Sequence, residues 1–214
     1  MTIRSKEGTL PFVEFNGLEH PDSELIIRDL TKLLSKEQIE DHLSEKQKSV
    51  SRAFEKMIEN STYMTYHYFR LTELQPQIFD LFWKMENNPL LFRILMTLSM
   101  PFIRNAAKKM FVNHGIGRHD RDEIMYISCT DLHAISCYLS DKQFLMGDKP
   151  TKVDASLFAV LSLFLYAEVE APQLDFIKKN CQNLVDYYQR IKTNFWPDWD
   201  KVCGHLKNEP TEAK

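Results

Sequence analysis

The chain has 214 residues, 27 Lys+Arg against 30 Asp+Glu for a net charge of −3, with 43% hydrophobic and 27% charged residues. That is room for one large domain or two small ones of ordinary globular composition, and it excludes a disordered chain and a protein that coats nucleic acid through a basic footprint. Glycine is scarce, at 6 residues where an average chain has roughly 7%, which suits helices better than Gly-turned sheets or phosphate cradles.

No three glycines make G-x-G-x-x-G, because Asp120 stands where the third would be, and no G-x-x-x-x-G-K-[ST] occurs. A G-x-S-x-G elbow and an H-E-x-x-H pair are missing too, which removes the readily recognised hydrolase and zincin chemistries. The opening MTIRSKEGTLPFVEF breaks its few apolar residues with charge, so no signal peptide is expected. The longest apolar stretch, Ala155 to Ala167, contains Ser156 and Ser162 and falls short of the roughly 20 residues a transmembrane helix needs. Cys129, Cys137, Cys181 and Cys203 form no C-x-x-C pair and read as reduced thiols of a cytoplasmic chain.

Taken in chain order, residues 9–17 alternate apolar and polar and end in Asn16-Gly17, the strongest short hairpin signal, so 10–15 is a predicted strand and Leu18 to His20 its return. From Asp22 the spacing turns helical through Leu25, Ile26, Leu30, Leu33 and Leu34, with Asp22 or Ser23 as N-cap. Residues 36–43 are polar and read as a linker. Ser44 then opens one long helix to about Leu71. Pro76 permits a helix through Phe79 and Trp83, and Asn88-Pro89 starts another that Pro101 is expected to break or kink. After His114-Gly115-Ile116-Gly117 a helix should run from about Asp120 to Leu139. Thr151 and Asp154 make a capping box before an almost wholly apolar, hence central, helix from Ala155 to Tyr166. An amphipathic helix through Leu184, Tyr188 and Ile191 leads to Phe195-Trp196-Pro197-Asp198-Trp199, and the tail beyond about Lys207 reads as frayed.

Four clusters invite chemistry, and each has a plainer structural use. Cys129, His133 and Cys137 recur at i, i+4 along one helix stripe, but sites about 6 Å apart per step are too spread to share one ion, so small buried hydrophobes and no metal are expected. His114-Gly-Ile-Gly117-Arg118 is read as a helix C-cap and turn, with Gly115 or Gly117 left-handed and Arg118 and Arg121 free to pair with acids across it. Pro89 to Phe111 mixes leucines with Arg93, Arg104, Lys108 and Lys109; a membrane surface or partner groove is weighed against a core or dimer interface, and the latter is expected. Phe195, Trp196 and Trp199 are expected to plug the helical bundle.

A small αβ fragment before an all-helical domain resembles a glutathione transferase. Leu10-Pro11 resembles the cis-proline position of that fold, beside the backbone that pairs with the peptide part of glutathione. Asp22-Ser23 before Glu24-Leu25-Ile26-Ile27 is similar to the acidic-or-Gln–Ser pair that holds the γ-glutamyl carboxylate, an anion captured at a helix N-terminus. A plain helix cap is the structural alternative for Ser23, and Asp22 stands or falls with it. Gly147-Asp-Lys-Pro-Thr151-Lys-Val-Asp154 resembles the capping box that starts the core helix of the second domain.

The failed axon connections family, with its metaxin-like and cadmium-responsive relatives, resembles the chain more closely still. The matching residues are Ser51-Arg52-Ala53, His114 to Arg118 with Glu123-Ile124, Phe144 to Thr151 with Asp154-Ala155, and Phe195-Trp196-Pro197-Asp198-Trp199. The resemblance implies a mainly α protein: a truncated thioredoxin-like segment at 1–36 lacking its first βαβ, a helical glutathione-transferase C-terminal-like domain at 44–206, and a polar tail at 207–214. A βαβ unit takes about 30 residues, whereas ten precede Pro11. The segment that carries the thiol-activating Tyr, Ser or Cys of glutathione transferases is therefore expected to be missing, and the edge of strand 10–15 to be bare. In function, the resemblance implies a non-catalytic binding or interaction module in axon development or a stress or cadmium response. A glutathione-dependent transferase or conjugate binder, and a metaxin-like subunit at the mitochondrial outer membrane, are its alternatives. Glutathione is the cofactor implied, at Pro11, Asp22 and Ser23, with no catalytic residue assigned; a protein partner, a second copy or a peripheral membrane contact are the partners implied.

Overall fold

The computed structural model describes residues 5, 10–35, 40–84, 90–167 and 170–204. They fall into two compact units, Met1–Ser44 and Glu45–Lys214. In the first, β1 (Phe12–Phe15) and β2 (Leu18–Pro21) pair antiparallel with Phe12 opposite Pro21 and Phe15 opposite Leu18. Asn16 and Gly17 turn between them with φ of 51° and 78°, the left-handed pair that a two-residue hairpin of matching twist requires. Helix α1 (Ser23–Leu33) comes directly after. Among the described residues β1 pairs with β2 alone.

The named elements described in the second unit are all helical. Helix α2 (Glu45–Met57) runs into a π-helical turn, Ile58–Thr62, and then α3 (Tyr63–Thr72). The long helix expected from Ser44 to Leu71 is therefore one rod with an inserted residue, where Tyr63 N–H donates to the carbonyl of Ile58 instead of one residue nearer. Ile58 and Thr62 are fully buried there, the Thr62 hydroxyl donating to Asp131 at 3.3 Å, and Thr65 donates to Ser128 at 2.8 Å. Helix α4 (Gln75–Lys84) and helix α5 (Leu90–His114) come next. Pro101 does not break α5: it sits on the exposed side, where a missing N–H costs one hydrogen bond, and the Ser99 hydroxyl donates to the Met96 carbonyl at 2.8 Å nearby.

Gly115, at φ 107°, ends α5, its N–H bonded to the Phe111 carbonyl at 3.0 Å. Gly117 is needed for another reason: a Cβ there would lie 2.7 Å from backbone atoms of Phe111 and Val112. Arg118 donates to the Val112 carbonyl at 3.2 Å rather than to an acid, whereas Arg121 pairs with Glu73 at 3.0 Å. Asp120 caps α6 (Arg121–Leu139) in a full capping box with Glu123. The last four helices among the described residues are α7 (Lys152–Leu165), α8 (Gln173–Asn180), which periodicity did not reveal, α9 (Gln182–Phe195) and α10 (Trp199–Gly204).

Helix α7 is central as expected, with Val153, Leu157, Leu161 and Phe164 buried, but Ala155 and Ala159 are open. The aromatic plug is only partial. Trp199 packs edge-on against Phe158 and Tyr166, while Phe195, edge-on to Phe144, and Trp196, edge-on to Trp199, are half exposed. Of the expectation that α5 lies in the core or a dimer interface, the core part holds for Ala107 and Phe111, while Leu90, Ile94, Leu95, Leu98 and Phe102 are exposed in the single chain. The frayed tail from Lys207 and the linker positions 36–39 lie outside the described residues.

Candidate functional site

In the first unit the three expected glutathione-contacting residues meet at one end of the hairpin. The Leu10–Pro11 bond is cis, and the Pro11 carbonyl accepts the N–H of Asp22 at 3.2 Å. Asp22 adopts φ 70°, ψ 126°, which turns the chain sharply from β2 into α1 and folds its carboxylate back over the helix start. There Oδ1 accepts from the N–H of Glu24 at 2.9 Å and of Leu25 at 3.3 Å. Asp22 is thus the cap. Ser23, the first residue of α1, is exposed, and its hydroxyl has no partner among the described residues. Pro11 and Asp22 are exposed beside it.

This geometry has an electrostatic consequence. The positive end of α1 is already met by the Asp22 carboxylate, so an incoming carboxylate has the Ser23 hydroxyl to use and a like charge next door. A pair that no sequence motif marks braces the same helix. His20 Nδ1 lies 3.2 Å from Asp29 Oδ2, and Arg28 Nε donates to Asp29 Oδ1 at 2.6 Å. The Arg28 hydrogen bond, and after it that of His20, holds the Asp29 carboxyl below its usual range. His20 Nε2 is buried with no hydrogen-bond partner among the described residues. Nine residues and a change of element separate His20 from Asp29, so local spacing could not announce them.

The helical unit carries a separate cavity of about 680 Å³, walled by Ala155, Phe158, Ala159, Ile191, Trp196 and Trp199. Asp154 also touches it, yet that carboxylate is saturated: Leu145 N–H at 2.7 Å and the Tyr187 hydroxyl at 2.8 Å on Oδ1, Thr151 N–H and hydroxyl at 2.8 Å each on Oδ2. It is a structural hub with no lone pair facing a substrate. Burial, and then the Asp154 charge, pushes the Tyr187 phenol far up, so it stays a donor.

The cysteine–histidine stripe does not assemble a metal centre. No group of three or more potential ligands converges among the described residues. Nor are the cysteines uniformly buried: Cys181 is, Cys129 is half buried, and Cys137 is exposed with Sγ 3.4 Å from His133 Nε2. Cys129 and Cys137 lie on a helix whose inner stripe is already filled by Ile124, Leu132, Ile135 and Leu139.

Residues 1–77 match the family described as glutathione S-transferase N-terminal domain, and residues 129–191 match the glutathione S-transferase C-terminal domain. Together they span both units, so the chain is of the glutathione-transferase-fold class. Failed axon connections of Drosophila melanogaster is 33% identical over 219 residues, covering 96% of this chain and 51% of that protein. The Drosophila metaxin-1 homolog is 26% identical over 198 residues, covering 88% of the chain and 59% of the relative. The isoprene-epoxide–glutathione S-transferase of Rhodococcus sp. (strain AD45) is 26% identical over 201 residues, covering 89% and 79%. The chain carries N- and C-terminal domains of the glutathione-transferase fold and is similar to failed axon connections and to the metaxin-1 homolog. It spans about half the length of failed axon connections. No solved structure matches.

Proposed function

We propose that the chain is a glutathione-transferase-like binding and interaction module of the failed axon connections type, with no turnover of its own. The observation that supports a ligand site is the meeting of Pro11, Asp22 and Ser23, with the cap made by Asp22 and the Ser23 hydroxyl left open. The ligand read from it is glutathione, its γ-glutamyl carboxylate on Ser23 and its peptide backbone along the Pro11 strand. Likeness to failed axon connections over nearly the whole chain supports an interaction role in axon development. Likeness to the metaxin-1 homolog supports a cytoplasmic chain that joins protein complexes at the mitochondrial outer membrane.

A genuine transferase is the second reading. What favours it is the Rhodococcus glutathione S-transferase, of which the chain spans 79%. Titration calorimetry of glutathione into the wild type and Ser23→Ala separates the readings when paired with a conjugation assay on an aryl halide and an epoxide. Binding that Ser23→Ala abolishes, without conjugation above the buffer rate, is the expected outcome. No heat at millimolar glutathione removes the ligand site, and conjugation above buffer removes the non-catalytic reading.

A further inference from the structure

Helix α5 segregates two chemistries on its solvent side. Leu90, Ile94, Leu98 and Phe102 succeed one another at i, i+4 with Leu95 beside them, and exposure runs from 49% for Ile94 to 77% for Phe102. The row extends over roughly 18 Å of helix. These side chains are not a core left unfilled. The helix is anchored toward its C-terminal end, where Ala107 and Phe111 pack with Phe69, Ile116 and Ile124. Beyond Phe102 the exposed side adds the cations Arg104, Lys108 and Lys109, beside the exposed Ile103, Met110 and Val112, and none of the three cations is ion-paired among the described residues.

The charge pattern says what covers this face. Between Glu86 and Asp120 the chain has no acidic residue, while it carries Arg93, Arg104, Lys108, Lys109 and Arg118, in a protein whose net charge is −3. An apolar groove on a partner would account for the leucines and not for the exclusion of acids. A second copy laid on α5 would bring the same cations and no acid to meet them. An anionic lipid surface satisfies both halves: the apolar row enters the boundary between headgroups and acyl chains, and the cations meet lipid phosphates and carboxylates. No described helix is long and apolar enough to cross a membrane, so the contact lies in the plane of the surface.

We infer that α5 is a peripheral docking surface for anionic membranes, seated through Leu90, Ile94, Leu95, Leu98 and Phe102 and held by Arg104, Lys108 and Lys109. Flotation of the full chain with phosphatidylcholine vesicles, with and without phosphatidylserine and at low and high salt, tests it. The chain should float with the phosphatidylserine vesicles only, and salt should release it. Leu98→Glu with Phe102→Glu, and separately Lys108→Glu with Lys109→Glu, should each reduce partitioning by about tenfold or more. All four positions are exposed, so the thermal midpoint should be unchanged and the loss is not unfolding. Failure to float on phosphatidylserine vesicles, equal flotation on neutral ones, or undiminished flotation of either variant overturns the proposal. So does a dimer in light scattering that Phe102→Glu splits while lipid binding is absent, which would assign the face to a second copy.

Discussion

The Tyr187 hydroxyl donates to Asp154 Oδ1 at 2.8 Å, joining the middle of α9 to the first turn of α7 inside the helical unit. The same carboxylate holds Leu145 and Thr151, so one side chain of 3% exposure fixes the loop before α7, the helix start and the neighbouring helix. Asp154→Ala strands several buried donors at once and should cost about 3–5 kcal/mol, while Tyr187→Phe should cost about 1–3 kcal/mol. Urea unfolding of both variants and of the double mutant checks this. The double mutant should lose less than the two single losses together, since one interaction is removed twice.

The turn between α5 and α6 contains two glycines with different demands. Gly117→Ala drives a methyl into the Phe111–Val112 backbone and should cost about 2–3 kcal/mol. Gly115→Ala meets open space, and its penalty is conformational only, about 1 kcal/mol. Thermal midpoints of the two variants should fall in that order.

Because Asp22, not Ser23, caps α1, the two neighbours should respond differently to truncation. Asp22→Ala should destabilise the start of the helix by about 1 kcal/mol, seen as faster hydrogen exchange at the Glu24 and Leu25 amides. Ser23→Ala should leave those rates unchanged.

His67 supplies a pH dependence of known sign. Burial, then the charge of Arg70, lowers its pKa below 6.5, so the folded state binds its proton less readily than the unfolded chain does. Its contribution is neutral above pH 6.5 and stability is lost as pH falls below that value. Asp131 acts in the opposite sense at lower pH, since burial raises its carboxyl and protonation then favours the fold. Urea midpoints between pH 7 and 5 should fall in the wild type and flatten in His67→Gln.

Thiol access should rank with burial. Iodoacetamide treatment and then peptide mass spectrometry should show Cys137 labelled first, Cys129 more slowly, and Cys181 only on unfolding.

What could be read from the chain was whatever local chemistry enforces. Asn16-Gly17 can make little but a tight hairpin, and Thr151…Asp154 announces a helix start because its side chains satisfy amides a few residues away. Asp22 and Ser23 are both good caps, so only the backbone turn at Asp22 could tell which one is used. The π turn has no composition signal, as it lies between ordinary helix formers. Leucines on α5 read as core or dimer interface because hydrophobicity records what a residue prefers to touch and not what supplies it. Alanines at 155 and 159 looked like filler in an apolar helix, and only the tertiary arrangement shows that they wall a cavity.

The extra residue at Ile58–Thr62 sets the rotational phase of everything after it. A single residue turns an α-helix by about 100°, so deleting one there would leave α2 in place and swing α3 around its axis. Thr65 would leave Ser128, and Phe69 would leave the cluster that seats the inner arc of α5. The angle at which α5 shows its leucines to the outside is thus determined well upstream of the helix itself, by an irregularity one residue long.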